Sequence, residues 1–204
     1  MSGRMGQDAA RERRKDLARF FGTWVRNPIK MGAVAPSSAH YCATMVASAT
    51  THVEGPILEL GPGLGCVTRA LLDAGVDPAR ITSIEYDAEF ARTLKERFPA
   101  VNVVRGDGFD LDATLGDGGA TKFAAILFAI PIVKLPQGER QALFGRYFDR
   151  LLPGGNLTQL SYLWKPPVKP VAGRFDASAS DIVWDNIPPA RVWIYSRTGA
   201  RPLH

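Results

Sequence analysis

Three glycines within five residues, Gly61, Gly63 and Gly65, follow the apolar run Ile57-Leu58-Glu59-Leu60 and precede a helical stretch that opens near Cys66-Val67-Thr68. A buried strand is thereby predicted to enter a turn whose backbone approaches something closely. A turn without Cβ atoms, set against a helix N-terminus, receives a polar or negatively charged ligand group. Glu59, in the strand itself, does not suit phosphate.

The glycine spacing alone is weak, because similar turns occur in many nucleotide sites and in plain chain reversals. A second apolar strand, Ile81-Thr82-Ser83-Ile84, strengthens it by ending in Glu85, 20 residues beyond Gly65. A carboxylate there is placed to accept both hydroxyls of a ribose. No Gly-Lys-Ser/Thr follows the turn, so a P-loop does not fit. Pyrophosphate fits poorly beside the Glu59 charge, whereas a cofactor carrying an amino-acid group and a sulfonium tolerates it.

At 204 residues and 46% hydrophobic content, the chain suits one α/β unit with a sizeable core. It has no apolar run near 18 residues, so a cytosolic protein without a membrane span is expected. Cys42 and Cys66 form no disulfide framework, and His40, His52 and His204 lack ligand spacing, so no metal is expected. The net charge of +5 is local: residues 1–30 hold eight basic and three acidic groups, and the remainder is neutral.

Within that basic segment, Asp8 to Val25 has helical periodicity. Leu17, Phe20, Phe21 and Trp24 form an apolar stripe, and Arg11, Arg14, Lys15 and Arg19 occupy other faces. Such a helix can lie in the interface of an anionic bilayer. It can equally cap the domain with its charges solvated, or serve as a basic arm for RNA.

Downstream, Ser37 or Ser38 is an N-cap signal for a helix through Tyr41, Met45 and Ala49. Strands at Ile57–Leu60, Ile81–Ile84 and Val101–Val104 alternate with helices at Val67–Ala74 and Ala88–Arg97, which reads as a parallel sheet with right-handed crossovers. Asp107, in Gly106-Asp107-Gly108-Phe109, either accepts from a purine's exocyclic amine with Phe109 against the ring, or simply caps the segment that follows. The uncharged strand Phe123–Phe128 should be central. A helix over Gln137–Leu152, a strand over Asn156–Leu163, a proline-rich loop at Lys165–Pro170 and a final hairpin of 181–186 with Arg191–Arg197 complete seven strands.

This order resembles the class I S-adenosylmethionine-dependent methyltransferases, a Rossmann-like α/β fold. The resemblance rests on Glu59-x-Gly61-x-Gly63-x-Gly65, Glu85, Gly106-Asp107-Gly108 and the terminal hairpin, and spans Pro36 to Arg197. Within the class, Glu59 to Gly65 followed by Thr68 is similar both to the adenine-dimethylating rRNA enzymes and to the bacterial phospholipid N-methyltransferases. Adenine enzymes present Asn or Asp, Pro and an aromatic after the fourth strand, because a flipped base needs an acceptor and a stacking ring. Ala129, Pro131 and Ile132 stand there instead, which is similar to the phospholipid group, as are Asn27-Pro28, Pro36-Ser37-Ser38 and the run from Asn186 to Trp193.

The resemblance implies S-adenosylmethionine as cofactor, held by Glu59, Gly61, Pro62, Gly63, Gly65, Glu85, Tyr86, Asp107, Gly108, Phe109 and Ala129. It implies phosphatidylethanolamine and its mono- and dimethyl forms as substrate, methylated toward phosphatidylcholine on the inner face of a bacterial membrane. No nucleic-acid or protein partner is expected. Residues 1–30 would be the docking helix and 31–204 the methyltransferase domain. A product ending as a quaternary ammonium calls for aromatics, worth about 0.5–2 kcal/mol per ring. Tyr41, Tyr162 and Tyr195 are the candidates, with Arg191 and Lys165 for the lipid phosphate. The alternatives are an rRNA adenine N6-dimethyltransferase and a membrane-surface binding protein of the same fold without turnover.

Overall fold

The computed structural model describes residues 38–186 and 188–199. The predicted basic helix, with Arg11, Arg14, Lys15, Leu17, Arg19, Phe20, Phe21 and Trp24, lies outside the described residues, as does Ser37. Ser38 is the N-cap of helix α1 (Ala39–Ala47), and its side chain accepts from Tyr41 N. The strand β1 (Ile57–Leu60) is buried at every position and leads through the glycine turn into α2 (Cys66–Asp73). Then come β2 (Ile81–Glu85), α3 (Ala88–Arg97), β3 (Asn102–Arg105), α4 (Leu111–Leu115) and β4 (Phe123–Phe128). The chain ends with α5 (Gln137–Asp149), β5 (Leu151–Ser161), β6 (Phe175–Ala179) and β7 (Arg191–Arg197).

All seven strands form one sheet in the order β3-β2-β1-β4-β5-β7-β6. Neighbours from β3 through β5 are parallel, and β7 runs antiparallel to both β5 and β6. The uncharged β4 is buried throughout and central, as expected for a strand covered on both faces. One core packs α1, α2 and α3 against one face of the sheet. The other packs α5 with Phe144, Tyr147 and Phe148 against Leu58, Leu60, Phe128 and Tyr195. The first reversal of strand order falls between β1 and β4, where doubly wound sheets bind ligands beyond the strands' carboxyl ends.

Two sequence expectations are corrected. The hairpin partner of β7 is Phe175–Ala179, not 181–186, which contributes one isolated bridge from Val183 to Ala190. Pairing decides here over propensity, since Phe175-Asp176-Ala177-Ser178-Ala179 is a poor strand former that meets β7 in full register. The helix expected to reach Leu152 ends at Asp149, and β5 already starts at Leu151. Pro153-Gly154-Gly155 therefore loops out within β5, between the Phe123–Leu151 and Ala125–Asn156 pairs.

Candidate active site

The turn after β1 is held from both sides. Gly61 N donates to Ile84 O at 3.1 Å, and Gly63 N donates to Glu85 Oε2 at 3.0 Å. Gly65 has a φ of +85°, and a methyl group on it would lie 2.4 Å from Phe98 and 2.9 Å from Leu94. This glycine lets the turn pack on α3 rather than on a ligand. Gly61 and Gly108 face a residue that the sequence did not single out: a Cβ on either would lie 2.8 Å from the Ile130 side chain. Ile130 thus closes one wall of a cleft lined also by Gly61, Glu85, Tyr86, Asp107 and Phe109.

Glu85 is buried, and its second oxygen accepts from Asp87 N at 2.9 Å. Each carboxylate oxygen keeps a further lone pair, so the fixed group can still accept two hydroxyls. Burial holds its pKa above the usual carboxylate value.

Glu59 is fully buried beside the turn, with Ser83 Oγ and Thr68 Oγ1 donating to Oε2 at 2.6 and 2.7 Å. Its Oε1 has no hydrogen-bond partner among the described residues. Burial pushes this carboxyl up to about 7 against the pull of the two hydroxyls. Next to it the Cys42 and Cys66 thiols, from α1 and α2, hydrogen-bond each other; this raises the pKa of Cys42 and lowers that of Cys66.

Asp107 is half-buried and its Oδ1 accepts from Phe109 N at 2.9 Å, so it closes a turn at the mouth of β3. Phe109 is 3% exposed, which leaves it a wall of the cleft rather than an open stacking surface. Tyr86 is exposed on the opposite rim. Pro62 is buried within the turn, and its carbonyl accepts from Gly65 N. Ala129 N donates to Leu60 O at 2.9 Å, which ties the exit of β4 to the base of the glycine turn. Ile132 is fully buried in the core, and the partly exposed residues of that exit, Ala129, Ile130 and Pro131, carry no aromatic ring.

The three tyrosines do not come together. Tyr162 is exposed just beyond β5, and its ring centroid lies 6.3 Å from that of Tyr41. Tyr41 is 1% exposed, and its hydroxyl sits 3.1 Å from Ser161 O and 3.0 Å from Arg191 O while accepting from Ser161 N. It pins α1 to the ends of β5 and β7, and burial raises its pKa.

Tyr195 is a correction. It is fully buried at the Leu157 register of β5, edge-on to Phe144 at 4.9 Å, and hydrogen-bonded to Gln159 Oε1 and Val168 N. Alternation along β7 gave no hint that this face is the closed one. Lys165 is exposed, and the Arg191 guanidinium lies 5.6 Å from the centre of the Trp164 ring, with its Nε buried and without a hydrogen-bond partner among the described residues.

The sheet order, the glycine turn and the buried acid at the end of β2 define a class I S-adenosylmethionine-dependent methyltransferase architecture. No protein-family model matches the chain. It is similar to an ornithine lipid N-methyltransferase of Singulisphaera acidiphila, 29% identical over 150 residues that cover 72% of this chain and 78% of that protein. It is also similar to ribosomal RNA small subunit methyltransferase A of Myxococcus xanthus, 45% identical over 58 residues, or 28% of this chain and 19% of that enzyme. Among solved structures, the DhpI–SAH complex matches with a TM-score of 0.57 at 17% identity, covering 92% of this chain and 98% of that one. This last likeness is one of fold.

Proposed function

We propose that the protein transfers methyl groups from S-adenosylmethionine to the amine of a lipid headgroup at a membrane surface. The reading is supported by a cleft lined by Gly61, Glu85, Asp107 and Phe109 that lies beside an exit from β4 with no amide acceptor and no aromatic ring. The residues present fit the cofactor. Glu85 offers two fixed acceptors for a ribose, Gly61 and Gly108 let the Ile130 wall of the cleft pack against the backbone, and the orphaned Glu59 Oε1 suits the cationic amino-acid end. The cofactor supplies a methyl group on a sulfonium, which an unprotonated amine accepts with loss of one proton. The chain's own contribution is to position the amine, since no strong acid or base chemistry is required.

Tyr162 supplies an aromatic surface at the mouth, and Tyr41 holds that mouth in place. Arg191, with its unpartnered Nε, and Lys165 are the groups for the lipid phosphate. Ala129 and Ile132, where a flipped base would need an acceptor and a ring, favour lipid over RNA. Phosphatidylethanolamine is the proposed acceptor. The likeness to an ornithine lipid N-methyltransferase favours the ornithine headgroup as a second reading, and both lipids offer a primary amine. By this reading residues 8–25 dock on anionic lipid and keep the protein peripheral on the inner face of the membrane; among the described residues no helix is long and apolar enough to cross one.

Expression in a bacterial host that contains phosphatidylethanolamine but no methylated lipid tests the proposal. Mass spectra of the lipid extract should show successive N-methyl forms that disappear in a Glu85→Ala variant. A lipid extract unchanged by active protein would refute the assignment.

A further inference from the structure

Among the described residues, the large apolar side chains that stand exposed share one end of the sheet. Leu64 follows β1, Tyr86 follows β2 and Val133 follows β4. Tyr162, Leu163 and Trp164 follow β5, and Trp184 lies between β6 and β7 at the same end. The opposite end has none among the described residues. Trp164 and Trp184 are 72% and 70% exposed, far more than a tryptophan in a folded domain's closed surface.

These residues sit on a braced support. Trp193 Nε1 donates to Leu163 O at 3.2 Å, and Leu163 N donates to Ser161 Oγ at 3.1 Å. The Arg140 side chain donates to Leu135 O at 2.7 Å, to Pro167 O at 2.8 Å and to Val133 O, joining the loop after β4 to the loop after β5. Val168 is buried and anchors that second loop in the core, which leaves Lys165 and Lys169 exposed on either side of it. Trp184 is fixed through the Val183–Ala190 bridge and through Asn186 Oδ1, which accepts from Ser38 N at 2.9 Å. Ala190 leads directly to Arg191, whose guanidinium stacks on Trp164.

We infer that this edge is a lipid-facing rim: Trp164, Trp184 and Leu163 enter the headgroup layer of an anionic bilayer and seat the cleft mouth on it. The inference rests on the lipid reading of the function. Tryptophan rings with cations around them favour the boundary between acyl chains and headgroups, where ring and charge are each solvated in kind. Charge complementarity selects the occupant. The cations gather on the β4–β5 side, where Lys134, Lys165 and Lys169 are exposed and Arg191 is half-buried beside Trp164, whereas the exposed acids of this end lie after β2 and β3 (Glu89, Asp110) and in the β6–β7 loop (Asp181, and Asp185 hydrogen-bonded to His40 at 2.9 Å). The rim surrounds the mouth, so seating it brings the headgroup plane to the cleft without extracting a lipid. This contact is separate from residues 8–25 and does not depend on them.

The test uses the full chain and vesicles of phosphatidylglycerol and phosphatidylethanolamine. Flotation should show a fall in vesicle partition of roughly tenfold or more for Trp164→Ala/Trp184→Ala, and a smaller fall for Lys169→Glu. S-adenosylmethionine affinity should stay at the wild-type value in both variants, and turnover of a monomeric short-chain phosphatidylethanolamine should stay there for Lys169→Glu and for Trp184→Ala alone, since Trp164 supports Arg191. Vesicle binding unchanged in the double variant, with wild-type protein still methylating vesicle lipid, overturns the rim and leaves the function standing. Unchanged binding together with a lowered unfolding temperature also overturns it, because the tryptophans would then pack on the chain's own N-terminal residues. A wild-type protein that binds cofactor and methylates a non-lipid acceptor, with no vesicle binding, overturns both.

Discussion

Gly63 N donates to Glu85 Oε2 at 3.0 Å, so the acid at the end of β2 is tied to the middle of the glycine turn after β1. The same carboxylate that should accept ribose hydroxyls also sets the turn's shape. Glu85→Ala should therefore lower S-adenosylmethionine affinity by roughly 10- to 100-fold, the loss of one or two charge-assisted hydrogen bonds. Glu85→Gln should lose less, because it keeps one acceptor. Titration calorimetry checks the order of the two variants.

At Gly65 the constraint is packing on α3. An alanine there combines a φ of +85° with a contact of 2.4 Å to Phe98. Gly65→Ala should cost about 2–4 kcal/mol of stability, visible as a lower urea midpoint with an unchanged slope.

Glu59 should make stability depend on pH. Its carboxyl is raised by burial from 4.5 to about 7, so the folded state keeps the proton after the unfolded chain has released it. The stabilising contribution is complete below about pH 4.5 and is lost as the pH rises toward 7, a change on the order of 3 kcal/mol. Glu59→Gln should flatten the unfolding free energy across that window. Urea titrations at several pH values measure it.

The tyrosines should separate by readout. Tyr41→Phe removes the hydroxyl that joins Ser161 and Arg191, so KM for vesicle lipid should rise several-fold while cofactor affinity holds. Tyr195→Phe leaves Val168 N without its acceptor in a closed core, at a cost of about 1–2 kcal/mol. Its kcat and KM should match those of the wild type. Steady-state kinetics with thermal unfolding distinguishes the two.

The glycine turn after β1, the acid at the end of β2 and the Asp107 turn after β3 were legible because backbone needs fix residue types at such positions. The strand and helix alternation from Ile57 to Phe128 was legible for the same reason. Ile130 was not, since a cleft wall made by an isoleucine is indistinguishable in sequence from core. Phe175–Ala179 was missed because its strand character comes from pairing with β7 rather than from its own residues. Tyr195 was misplaced because periodicity marks a buried face without saying whether a helix or a ligand covers it; α5 covers this one through Phe144.

The most direct measurement follows a labelled methyl group. Purified protein is incubated with methyl-labelled S-adenosylmethionine and either anionic vesicles containing phosphatidylethanolamine and ornithine lipid, or total ribosomal RNA. Label in the lipid amine and none in RNA is expected. Label in adenine of the RNA, with the lipid unlabelled, would contradict it and would mean that the aliphatic exit at Ala129 and Ile132 admits a base.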